Sequence, residues 1–106
     1  MPKTALPKPV EEFRRSYPDV WKAFEQLGKQ CHQAGPLDEK SRRLVKLALS
    51  VGAGLEGGTH SAVRNALKAG LTSDELNQVA VLAVTTVGLP AAIRAFSWIS
   101  DMTRRS

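Results

Sequence analysis

The sequence holds one cysteine, Cys31, in 106 residues. A disulfide within the chain is therefore impossible, and so is any chemistry that needs an attacking thiol and a resolving thiol on the same chain. A lone thiol suits a reducing compartment, and the cytoplasm is the expected location. Histidine is nearly as scarce. His32 and His60 are the only two, so no multi-histidine metal cluster can form within one chain, and neither a metal nor a cofactor is expected. Long apolar runs are also missing: Val79 to Ile93 is interrupted by Thr85, Thr86, Gly88 and Pro90 and falls short of the ~20 residues that a membrane span requires. No membrane association is expected. Met1 to Pro9 has three prolines and two lysines around no apolar centre, so it does not read as a signal peptide. No segment alternates polar and apolar residues with the period of a strand.

What is present suits a single globular domain: 42% of residues are hydrophobic and 24% are charged. The net charge of +5 raises the question of nucleic acid. Yet the basic residues run from Lys3 to Arg105, and the densest group (Lys40, Arg42, Arg43 and Lys46) has no interleaved aromatics. That pattern describes a solvated helix face, and no nucleic-acid partner is expected.

Residues 1–9 are expected to be a flexible N-terminal arm, and residues 10–106 a single all-α domain of about five to six helices. A short helix fits Glu11–Ser16. Pro18 suits the first turn of a longer one, along which Val20, Trp21, Phe24, Leu27 and Cys31 recur every three or four residues and predict a buried stripe. The aromatic residues Phe13, Tyr17, Trp21, Phe24, Phe96 and Trp98 are assigned to the core on the same grounds. Asp38 is a suitable N-cap for a helix whose inward face is Leu44, Leu47, Ala48 and Val51. A further helix follows from about Leu55 to Ala69, with Gly70 placed to end it. Thr72-Ser73-Asp74-Glu75 reads as a capping box for a helix over Ser73 to Val87 that is apolar on nearly every side. Such a helix must be enclosed, either centrally or by another subunit. Gly88-Leu89-Pro90 then turns into a last helix.

The pieces GPLDEKSRRL, LVKLALSVGAG, HSAVRNALKAGLTSDEL and VGLPAAIRAF, in this order over about Leu37 to Trp98, resemble the carboxymuconolactone decarboxylase family, which includes alkylhydroperoxidase D-like proteins. The resemblance implies a compact helical subunit that assembles with itself into a homotrimer or homohexamer. In the peroxidase branch it also implies a glutamate, a C-x-x-C pair and a histidine four residues beyond the second cysteine. Anchored on Ala66 and Gly70, those positions fall here on Arg43, Leu55, Gly58 and Ala62. None carries the family residue, so dithiol peroxidase activity is not expected. A register shifted by two residues would put His60 in the histidine position.

Glu56, His60 and Arg64 lie at i, i+4 and i+8, on one helix face. A carboxylate beside an imidazole can orient the ring as a general acid or base, which makes Glu56 and His60 the candidate catalytic residues. The two could also supply a pair of metal ligands, although a usable site needs more groups from elsewhere. The same pair is equally readable as a surface contact worth a few tenths of a kcal/mol. Arg64 and Arg43 are the candidate ligand-binding residues, suited to a small anionic ligand such as a carboxylate. Leu55, Gly58, Ala62, Ala66 and Ala69 form a separate small-residue face suited to close helix packing, and Gly57-Gly58 fits either a helix start or a close backbone approach. Cys31, beside His32, is assigned to packing. Two functions follow: an oligomeric enzyme or small-molecule binder with an inter-subunit pocket, or a non-catalytic assembly protein whose ancestral site has become packing surface.

Overall fold

The computed structural model describes residues 6–104, all helical or connecting, with no strand among them. Six helices follow in order: α1 (Lys8–Ser16), α2 (Pro18–His32), α3 (Glu39–Gly52), α4 (Glu56–Lys68), α5 (Ser73–Ala83) and α6 (Leu89–Thr103). They form two compact units, Met1–Leu37 and Asp38–Ser106. The expected arm lies outside the described residues over positions 1–5, and its last two residues, Lys8 and Pro9, already belong to α1.

In the first unit, Pro9 and Pro18 occupy first-turn positions of their helices, where the missing N–H costs nothing. Phe13 pairs with Tyr17 at 5.4 Å and Trp21 with Phe24 at 5.6 Å between ring centroids. The expectation of a buried stripe on α2 is not met. Phe24 and Leu27 are each 61% exposed, Val20 and Cys31 are exposed, and no residue of α2 is fully buried. The helical period holds, but period identifies an apolar face without supplying what covers it. For the same reason Phe13, Tyr17 and Phe96 are exposed rather than core, and Trp98 is half-buried with the Arg94 guanidinium carbon 5.5 Å from its ring centroid.

The second unit holds the core. Its fully buried large apolar residues come one from each helix: Leu47 of α3, Val63 of α4, Leu76 of α5 and Ile99 of α6. Each such burial contributes roughly 1.5–3 kcal/mol. Around them Ala66, Ala80, Ala83, Ala92 and Ala95 let the helix backbones approach closely. Val51 is buried with Leu47 as expected, whereas Leu44 only flanks the core and Ala48 is exposed.

The helix ends follow their sequence signals. The Ser41 N–H donates to Asp38 Oδ1 at 2.8 Å, starting α3. Both arms of the capping box are formed: the Glu75 N–H donates to Thr72 Oγ1 at 3.2 Å, and the Thr72 N–H to Glu75 Oε1 at 2.8 Å. Gly70, at φ +93°, ends the turn after α4, a conformation that glycine adopts without steric cost. Helix α5 is shorter than expected and stops at Ala83 instead of Val87. The Ala83 carbonyl accepts the N–H groups of Thr86, Val87 and Gly88, and the Thr86 hydroxyl also donates to it. One oxygen thus gathers the donors that would otherwise extend the helix, and Gly88, at φ +104°, turns the chain into α6.

Candidate functional site

Helix α4 carries most of the candidate residues, and its start is unusual. Leu55 caps it without a side-chain hydrogen bond, and Gly57 and Gly58 fill its first turn. The two glycines differ. A Cβ on Gly57 would meet nothing within 4 Å, whereas one on Gly58 would lie 3.1 Å from Ser50 Oγ and 3.2 Å from Leu55 Cβ. The close approach at Gly58 is therefore made by α3, in the same unit. It also sets α3 and α4 antiparallel, with Ser50 beside the start of α4 and Lys40 beside Gly70 at its far end.

One turn further on, His60 Nε2 lies 3.0 Å from Asp101 Oδ2 of α6. Glu56 joins them, and one donor atom from each of Glu56, His60 and Asp101 lies within 4.8 Å of the other two. The His60 side chain is 24% exposed and that of Asp101 50%, so solutes can reach both. With the Nε2 hydrogen donated to Asp101, the ring's lone pair sits on Nδ1, and the carboxylate fixes both tautomer and ring orientation. Asp101 is the residue that sequence reasoning missed. It lies 41 positions from His60, and no helical period links residues on different helices.

Arg64, the next turn of α4, is only 7% exposed. Its guanidinium has no hydrogen bond or ion pair among the described residues, and burial lowers its pKa from the ordinary value. Arginine buried to this extent is normally paired, because an uncompensated buried charge is costly. Five residues earlier on α4, Thr59 is fully buried and its hydroxyl also has no partner among the described residues.

Arg43 is placed differently. Its Nε donates to Glu39 Oε2 at 3.1 Å, while Arg42 reaches Glu39 Oε1 at the same distance. Arg43 lies seven positions before Ser50, which puts it about 10 Å along α3 from the start of α4. The structure thus groups Glu56 and His60 with Asp101, sets Arg64 one turn beyond them, and ties Arg43 to Glu39. Cys31 belongs to the other unit and is exposed. A mainly apolar cleft of about 350 Å³ lies between α3 and α5, lined by Leu44, Ala48, Val79, Leu82 and Val87 among others, and none of Glu56, His60, Arg64 or Asp101 lines it.

The arrangement defines a class by its fold: a small all-helical scaffold that carries an imidazole–carboxylate pair and a nearly buried arginine on α4 and α6, in a chain with one thiol. The chain matches the carboxymuconolactone decarboxylase family over residues 18–101, and it belongs to that family. It is also 27% identical over 93 residues to an uncharacterized protein of Methanocaldococcus jannaschii, an alignment covering 88% of this chain and 87% of that protein. No solved structure matches it significantly. Among the described residues no helix is long and apolar enough to cross a membrane.

Proposed function

We propose that this protein is an oligomeric enzyme or binder for a small carboxylate-bearing molecule, in which His60 moves a proton and Arg64 receives the anionic group. The observation that carries this reading is the 3.0 Å contact between His60 Nε2 and Asp101 Oδ2. Asp101 orients the ring and stabilises it as imidazolium after it takes a proton through Nδ1. Glu56 borders the same space, and Arg64 offers a planar two-pronged donor suited to a carboxylate. Family membership makes a lactone carboxylic acid the first substrate class to test, with loss of CO₂ balanced by delivery of a proton to carbon.

Assembly into a trimer or hexamer is part of the proposal. Val81, Leu82, Leu89 and Ile93 of α5 and α6 are each more than half exposed, and adjoining apolar surface of this kind marks a protein-binding face.

The test is incubation with 4-carboxymuconolactone, following CO₂ release, together with light scattering to fix the subunit number. Turnover that is lost in His60→Ala and kept in Cys31→Ala supports the reading. Hydroperoxide consumption that disappears in Cys31→Ala would replace it with a single-thiol peroxidase. An assembled protein whose binding of malonate is the same in wild type and in His60→Ala and Arg64→Met would instead favour the non-catalytic assembly reading, which the exposed apolar face also suits.

A further inference from the structure

Glu56 brings a third candidate ligand to the His60–Asp101 pair. Two carboxylates and one imidazole place a donor atom each within 4.8 Å of one another. Two ligands about 2.1 Å from a shared ion are about 3.0 Å apart at an octahedral angle and about 3.4 Å apart at a tetrahedral one. The His60–Asp101 distance of 3.0 Å already meets that requirement. Glu56 is exposed and can swing to complete the face. We propose that these three residues bind a single divalent transition-metal cation of the Zn²⁺ class, with open positions for water or for a ligand carboxylate.

The donor set supports that choice. One nitrogen and two carboxylate oxygens suit borderline divalent ions better than Ca²⁺ or Mg²⁺, which favour all-oxygen sites. Two carboxylates neutralise the ion's charge in a chain that is otherwise basic. The ligands also stand on firm supports. Glu56 and His60 sit on one helix face, with Thr59 and Val63 of that helix fully buried. Asp101 is bracketed on α6 by Ile99, fully buried, and Met102, 8% exposed.

The proposal uses the same side chains as the proton-transfer reading but engages the ring through Nε2, the nitrogen turned toward Asp101, rather than through Nδ1. The two can therefore fail separately. The experiment is titration of the full-length protein with Zn²⁺ in competition with a chromophoric chelator, and with Co²⁺ followed by its visible absorption. It is run in a Cys31→Ser, His32→Gln background, so that no thiol or second imidazole contributes. One equivalent per chain is expected. Affinity should fall at least tenfold in His60→Ala and in Asp101→Asn, and measurably in Glu56→Gln, while Glu75→Gln leaves it unchanged. Far-UV circular dichroism at each step separates ligand loss from unfolding, and Glu56→Gln, an exposed change on the first helical turn, tests the site with least risk to the fold. No stoichiometric binding, or equal affinity in wild type and all three site variants, overturns the cation site and leaves the malonate and turnover tests of the proton-transfer reading untouched.

Discussion

Replacing Arg64 with methionine should make the protein more stable and less able to respond to an anion. Arg64 as a whole is 7% exposed and has no partner among the described residues, but none of its nitrogens is fully shut off from solvent, so folding removes part of its hydration without replacing it. Burying a polar group unsatisfied costs about 1–3 kcal/mol, and more when it is charged. The guanidinium still reaches water, so the gain expected on removing it is at the low end, up to about 1 kcal/mol. Methionine keeps an unbranched stem and matches arginine in helix propensity, which isolates the charge as the variable. Urea unfolding followed by circular dichroism, at one fixed chain concentration, should show the midpoint rising, with a melting temperature higher by about 4–8 °C per kcal/mol. Malonate should then reverse the order. An anion at a hundred times its dissociation constant stabilises a binding-competent fold by about 2.7 kcal/mol, which wild type gains and the variant does not. If Arg64→Met loses more than about 1 kcal/mol with no anion present, the guanidinium is already paired, and neither the stability gain nor the anion response can be ascribed to a free cation.

Thr59→Val keeps the shape of a fully buried side chain and removes its unpartnered hydroxyl; a gain of about 1 kcal/mol in urea unfolding is expected, and a loss would show that the hydroxyl is satisfied in the assembled protein. Gly57→Ala should stabilise by up to about 1 kcal/mol, since its new methyl group meets nothing. Gly58→Ala should gain less or lose stability, because its methyl group would press on Ser50 and Leu55, and equal effects at the two sites would contradict the close approach of α3. Asp38 and Glu75 have pKa values held below the ordinary carboxylate range, chiefly by the backbone N–H groups of Ser41 and Thr72. A carboxylate whose folded pKa is depressed contributes stability above its unfolded pKa and loses that contribution as pH falls through the folded value. The wild-type urea midpoint should therefore drop on the acid side, from about pH 5 downward, and the Asp38→Asn, Glu75→Gln double variant should show a flatter acid limb.

What the sequence disclosed was local. Asp38, the Thr72–Glu75 capping box and Gly70 each act within a few residues of themselves, and each does in the structure what its residue type implies. The α2 stripe shows where that logic stops. Val20, Phe24 and Leu27 have the right spacing, but their burial depends on a covering surface that spacing does not encode. The end of α5 fails for a related reason: the apolar run continues to Val87, yet the Ala83 carbonyl and the Thr86 hydroxyl close the helix with hydrogen bonds that hydrophobicity does not register. The candidate site divides along the same line. Glu56, His60 and Arg64 follow from one helix period, but Asp101 is brought in by α6 packing across the core.

That division bears on what kind of site this is. Had Glu56 and His60 been a surface pair and nothing more, either could move without consequence, since an exposed i, i+4 contact is worth a few tenths of a kcal/mol. Instead, His60 meets a second acidic group, on a helix whose position is set by the burial of Ile99 and Met102. The distance between His60 and Asp101 is then held by the core of the second unit, because any shift of α6 along α4 would have to unseat side chains that have no free volume to enter. The family's sulfur chemistry has no second thiol here, and the one cysteine is exposed in the other unit. The polar groups that the second unit gathers are an imidazole paired with the Asp101 carboxylate, Glu56 within reach of both, and an arginine without a counterion among the described residues. Arg64 keeps most of its surface packed within the second unit while its guanidinium reaches solvent with no counterion among the described residues, which leaves a fixed cation where an anion can approach.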